Sequence, residues 1–325
     1  MHISSVNSRS LPNSKVGGFA ADCADSSEVS GNDLKLLKLL QARTTASTRR
    51  AYDTDLRHFA AWSDCLPTTP IDVARYLAAH AGQLSVATLA RRLVAIGQAH
   101  TVRGFPNPTT ADLVRLTMRG IRRTYGTPQR RVAALTRENL FSIVSLMGDA
   151  PTDLRDRALL LVGFAGAFRR SELVAIDYQS VQWVVQGCLI TIPKSKSDQE
   201  GRGREILIPY GRPTTCPVSA FQAWLSTSGI TDGAVFRSLH KGGRVAAKRL
   251  SPGAVAKIVK RRANAAGFDS SRYSGHSLRA GFVTSATSLG MPSWKIKAQT
   301  GHASDDMVSR YIRGTLGHGS DDSIL

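Results

Sequence analysis

The sequence holds few cysteines, few acidic residues and no long apolar run, and each shortage closes off a class of functions. Cys23, Cys65, Cys188 and Cys216 are scattered, with no C-x-x-C pair and no metal-ligand spacing, so they suit ordinary thiols in a reducing cytosol. No stretch approaches the roughly 18 apolar residues of a membrane span, and the N-terminus lacks the apolar core of a secretory signal. The expected protein is soluble and cytoplasmic, with no membrane partner. There is no G-x-x-x-x-G-K-[ST] phosphate loop and no carboxylate cluster of the two-metal kind, so neither a metal nor an organic cofactor is expected. No internal repeat is present.

What the chain has in excess is positive charge. Its 325 residues carry 43 Lys and Arg against 24 Asp and Glu, a net charge of +19. Such a field concentrates polyanions and gains from counterion release on binding them. Residues 1–30 hold 2 basic and 3 acidic side chains, residues 31–130 hold 15 and 6, and residues 131–325 hold 26 and 15. Two structured parts are therefore basic, as two modules gripping one duplex would be. Basicity alone would equally suit an RNA-binding or membrane-surface protein.

Residues 1–31 are rich in Ser, Gly and Asn and are expected to be a disordered leader. Residues 32–125 carry helical periodicity throughout. One segment is marked by Leu34, Leu37 and Leu40, and a second, behind the cap candidates Thr45 and Ser47, by Leu56 and Phe59. Three more helices are expected from Thr69-Pro70, over 85–102 and over 110–125. Turn formers and charge over 126–133 predict a linker. Within 134–325, helices are expected over 136–147, 153–168, 216–226, 252–265, 276–289, 292–299 and 305–312, and strands over 181–185, 189–192 and 205–209. The fold class is mainly α with a small antiparallel β-sheet.

The C-terminal third places Thr300-Gly301-His302 nine residues ahead of Tyr311, with His276-Ser277-Leu278-Arg279 upstream. A phenolic nucleophile beside cationic and hydrogen-bonding groups is what attack on a phosphodiester needs. The five-coordinate phosphorus gains negative charge on its non-bridging oxygens, and fixed donors aimed there lower the barrier. Arg169 and Arg279 offer permanently charged planar forks for phosphate oxygens. His276 and His302 add hydrogen bonds, and one of them can take the phenolic proton, since tyrosine's ordinary pKa of about 10 demands help. Each element alone is weak, because an H-x-x-R match is expected roughly once by chance in a chain so rich in arginine.

Order and conjunction are stronger. Phe168-Arg169-Arg170-Ser171-Glu172-Leu173, a lysine in a hairpin at Lys194-Ser195-Lys196, His276 and Arg279, Gly301-His302 and Tyr311 occur in the sequence of the tyrosine recombinase (phage integrase) family, which this chain resembles from about residue 35 to 314. The resemblance implies an all-helical core-binding (SAM-like) domain and a catalytic domain closing as a clamp on duplex DNA. It implies strand cleavage by Tyr311 through a covalent 3′-phosphotyrosyl intermediate and a Holliday junction. Lys196 would protonate the departing 5′-oxygen, with Lys194 two residues away as the alternative, and Glu172 would brace the site. The partner would be double-stranded DNA with inverted-repeat half-sites, bound by a homo-tetramer on synapsed DNA that is a monomer or weak dimer when free.

DNA-contact candidates in the small domain are Arg49, Arg50, Thr88, Arg91, Arg92, Arg119, Arg122 and Arg123, and in the large domain Arg244, Lys248, Arg272 and Tyr273. Most of these would set position and salt dependence rather than sequence choice. Two rivals remain on sequence alone. A type IB topoisomerase uses similar groups, and an idle DNA-binding protein could keep the fold, although binding has no use for the nucleophile.

Overall fold

The computed structural model describes residues 44–63, 66–127, 132–193, 203–302 and 304. The leader, the helix expected near Leu34, both candidate lysines, the helix expected over 305–312 and Tyr311 lie outside the described residues. The chain divides into two compact units, Met1–Gln129 and Arg130–Leu325.

Four α-helices form the described part of the first unit: α1 (Ala46–Ala60), α2 (Pro70–His80), α3 (Val86–Val102) and α4 (Asp112–Tyr125). Three of them start at hydroxyl caps, where Thr45, Thr69 and Ser85 each accept the backbone N–H three residues on. Pro70 supplies a pre-set φ to the first turn of α2. The apolar faces meet around Phe59, Leu77, Leu89, Ile96, Val114 and Met118.

A polar seam crosses that core. Asp55 of α1 is 1% exposed and accepts the fork of Arg91 of α3 at 2.7 and 2.9 Å. Arg92 approaches the same carboxylate at 3.5 Å and donates from Nη1 to the Tyr76 hydroxyl at 2.8 Å. A buried carboxylate between two guanidiniums locks α1 to α3, because losing either partner leaves an uncompensated charge.

The second unit is built on α5 (Arg137–Ser145) and α6 (Pro151–Ala165). The run Ala158–Val162 is buried on every side, which makes α6 the central spine. After it come α7 (Arg170–Ala175), β1 (Val181–Val184), β2 (Gly187–Ile192), β3 (Arg204–Pro209) and α8 (Pro217–Ser228). Then follow β4 (Arg237–Leu239), β5 (Val245–Arg249), α9 (Pro252–Ala265), α10 (Ser277–Ser288) and α11 (Ser293–Thr300). Strands β1, β2 and β3 pair antiparallel in that order, with Cys188 opposite both Trp183 and Ile208. Ile190, Ile206 and Ile208 turn one face of this sheet into the core that holds Trp224 and Phe221 of α8. Asp156, fully buried on α6, accepts from Arg155 at 2.6 Å and from Arg261 and Arg262 of α9 at 2.5 and 2.7 Å, fastening α9 to the spine.

The fold is mainly α with small antiparallel sheets. Two expectations need correction. The helix expected to run to residue 168 ends at Ala165, because Gly166 and Ala167 turn the chain away and Ala167 takes φ 47°. A second hairpin, β4–β5, was not expected, since its short basic strands present no alternating apolar face. No helix among the described residues is long and apolar enough to cross a membrane.

Candidate active site

The site begins at the sharp turn that ends α6. Phe168 is 1% exposed and folds over Gly166 so closely that a Cβ there would overlap its ring. That packing holds Ala167 in the left-handed region, at a cost on the order of 1 kcal/mol for a residue with a side chain. Its carbonyl is thereby aimed at Arg279, whose Nη1 donates to it at 2.9 Å and to the Thr300 carbonyl at 2.5 Å. Arg279 projects from the first turn of α10 and is 1% exposed, so the guanidinium is fixed by backbone from two other elements.

Arg169 stands at the N-cap of α7, where Glu172 reaches back three residues. Glu172 Oε2 accepts the Arg169 backbone N–H at 3.0 Å, and Oε1 accepts Arg169 Nη1 at 2.6 Å. This is the carboxylate half of a capping box, and it also orients the Arg169 guanidinium. Glu172 is 4% exposed and takes a second guanidinium, with Arg204 Nη2 at 2.9 Å from Oε2. Two arginines share one carboxylate, so the trio retains a net positive charge.

His302 follows the left-handed Gly301 that ends α11, and its Nδ1 lies 3.0 Å from Thr300 Oγ1. The Thr300 hydroxyl donates its one proton to the Ile296 carbonyl at 2.7 Å. Thr300 Oγ1 must therefore accept from Nδ1–H, which assigns the tautomer and makes Nε2 the basic nitrogen. The His302 pKa is pushed down to about 4, by desolvation first and then by the cations Arg279 and Arg169. A neutral ring with a basic Nε2 suits acceptance of a proton. His276, exposed at the cap before α10, also has its pKa lowered, by partial loss of hydration first and then by Arg279, Arg169 and Arg170.

Arg169, Glu172, His276, Arg279 and His302 thus share one electrostatic neighbourhood, although they come from three separate segments. Arg204 belongs to it and was not singled out from sequence. It falls between the expected turn at 201–203 and the expected strand at 205–209, where a lone arginine carries no motif signal.

The DNA-contact candidates separate by burial. Arg49, Arg50, Arg119, Arg122 and Arg123 are exposed on α1 and α4, and Arg244, Lys248 and Arg272 are exposed on the second unit. Thr88 is half-buried, with its backbone N–H tied to the Ser85 cap at 3.1 Å. Arg91 is half-exposed but forked onto Asp55. Two further candidates are buried. Arg92 is 8% exposed and engaged with Asp55 and Tyr76. Tyr273 is 7% exposed, and its hydroxyl accepts from Asn139 Nδ2 at 3.1 Å inside the core.

Residues 133–317 match the phage integrase family. The chain is 38% identical over 289 residues to an integrase/recombinase XerD homolog of Selenomonas ruminantium, covering 86% of this chain and 85% of that protein. It is 27% identical over 282 residues to the recombinase Cre of Escherichia phage P1, covering 79% and 81%. A lambda integrase tetramer bound to a Holliday junction shares the fold, with TM-score 0.60 at 18% identity over 88% of this chain and 77% of that one. The chain belongs to the phage integrase family and is a site-specific recombinase of the tyrosine class. The XerD homolog is the more similar of these two relatives.

Proposed function

We propose that this recombinase cuts and rejoins DNA by attack of Tyr311 on a backbone phosphate, forming a 3′-phosphotyrosyl bond and exchanging strands through a Holliday junction. The observation that carries this reading is the convergence of Arg169 and Arg279, both held rigid by hydrogen bonds, with a neutral His302 whose Nε2 is basic. Rigid donors need no reorganisation as charge develops on the phosphorane oxygens. His302 or His276 takes the phenolic proton, and Lys196 delivers one to the 5′-oxygen. The phosphotyrosyl bond conserves the energy of the broken linkage, so religation needs no nucleotide cofactor.

Double-stranded DNA with inverted-repeat half-sites is the proposed partner, bound by a homo-tetramer that is a monomer or weak dimer when free. Support comes from the net charge of +19 and from the fold shared with a tetramer on a Holliday junction. Residues 32–125 act as the core-binding domain and 134–325 as the catalytic domain, joined through 126–133, and the DNA substrate suits action in the cytoplasm.

The test is Tyr311→Phe on a nicked substrate that traps cleaved product. Near-normal DNA affinity with no covalent complex on a denaturing gel is expected. A covalent complex persisting in that variant would remove Tyr311 from its role.

A further inference from the structure

Arg204 is where the separate elements of the site meet. It is the first residue of β3, eight residues after Lys196 in the sequence, and its side chain is 17% exposed. Nη2 donates to Glu172 Oε2 at 2.9 Å, and Nη1 donates to the Gln299 carbonyl in the last turn of α11 at 3.0 Å. The other oxygen of Glu172 holds Arg169, and the Gln299 amide returns to the Ala165 carbonyl at the end of α6 at 2.8 Å. Gly301 packs on the guanidinium so tightly that a Cβ would stand 2.7 Å from Nη1 and 3.1 Å from Cζ. The slot accepts a flat fork and leaves no room for a side chain on the turn beside it.

We propose that Arg204 is a positioning residue for strand cleavage: its fork holds the Arg169–Glu172 pair and the Gly301–His302 turn in one fixed relation and pins the start of β3 to both. The proposal rests on the cleavage chemistry given above. A lysine at 204 would keep the charge but supply one compact donor group where two acceptors, on different elements, require a planar fork.

Charge and fork have separable consequences. The charged and titratable groups facing His302 are Arg279 and His276 at the start of α10, Arg169 ahead of α7, and Arg204 on β3, with Glu172 between the last two arginines. Arg204 therefore contributes positive potential that a lysine would restore, and geometry that a lysine would not.

Arg204→Lys and Arg204→Met should be compared with the wild type and with Tyr311→Phe on the trapping substrate. DNA affinity should stay within about twofold, because Arg204 is engaged internally and phosphate contacts lie elsewhere. Cleavage should fall about 100-fold in both variants, the size expected when catalytic groups are displaced by about 1 Å. The His302 titration, followed by NMR, should remain low in Arg204→Lys and rise in Arg204→Met. Cleavage by Arg204→Lys within roughly threefold of wild type would overturn the proposal, and that variant retains the charge if the methionine variant fails to fold. An unmoved His302 titration in a folded Arg204→Met would overturn it as well. If the wild type forms no covalent product, or Tyr311→Phe forms one, the cleavage chemistry itself fails, and the titration still reports on Arg204 independently.

Discussion

The carbonyl of Ala167 accepts the Arg279 guanidinium at 2.9 Å, and Ala167 is the one non-glycine residue with positive φ among the described residues. Backbone strain and the buried Arg279 guanidinium are thus joined by a single hydrogen bond. The turn is over-determined by Phe168 packing on Gly166, which is how such strain persists.

Ala167→Gly should therefore change stability little, since relief of left-handed strain offsets the extra freedom of the unfolded chain, each on the order of 1 kcal/mol. Ala167→Val should destabilise by about 2 kcal/mol or more, because a β-branched residue at that φ is a steric outlier inside a packed core. Denaturant unfolding measures both. Cleavage should follow the turn, retained in the glycine variant and lost in a folded valine variant, and equal cleavage by the two would separate the turn from Arg279.

A pH dependence follows from His302. Its folded pKa, about 4, lies below the unfolded value of 6.5, so between those values the unfolded chain binds a proton that the folded one refuses. Stability should fall as pH falls through this window, and the contribution is complete below it. His302→Gln should remove that part of the slope. A stability difference between wild type and variant that is constant from pH 7 to 4 would contradict the depressed value.

Lys196 as general acid predicts a selective rescue. Replacing the scissile 5′-bridging oxygen by sulfur makes a leaving group that needs no proton, so Lys196→Ala should recover cleavage on that substrate while Arg169→Ala and Arg279→Ala should not. Recovery by Lys194→Ala in place of Lys196→Ala would move the role two residues along the sequence.

Metal and salt should act on different steps. With Arg169 and Arg279 stabilising the phosphorane, cleavage should persist in excess EDTA. Binding should weaken by about 10³–10⁵ between roughly 50 and 200 mM salt if six to ten phosphates are contacted. Cleavage that stops with EDTA and returns with magnesium would point to a metal nuclease.

The helices were legible because caps and periodicity are local: Thr69-Pro70 marks a start that the structure places at Pro70, and Ser85 caps the helix beginning at Val86. The cluster of Arg169, Glu172, His276, Arg279 and His302 was legible because its order in the chain is distinctive. The burial of Arg92 and Tyr273 was not legible, because a basic or aromatic residue announces its chemistry but not its direction. Asp55 lies 37 residues before Arg92, and no local pattern tells which of Arg91 and Arg92 faces inward. Arg204 was missed for the same reason, since its partners Glu172 and Gln299 are distant in sequence and reach it only through the fold.

The shared carboxylate of Glu172 sets the charge balance of the whole site. Among the described groups of the site, Arg169, Arg204 and Arg279 bring three positive charges, Glu172 removes one, and a neutral His302 adds none, which leaves two before any lysine is counted. A resting phosphodiester carries one negative charge, and the phosphorane formed by an attacking phenolate carries two. In the proposed reaction the phosphorane carries one more negative charge than the resting phosphodiester, so a net positive field favours the reacting geometry over the bound one. Removing Glu172 would raise the charge to three and strengthen the grip on intact DNA while loosening Arg169, converting a catalyst toward a clamp.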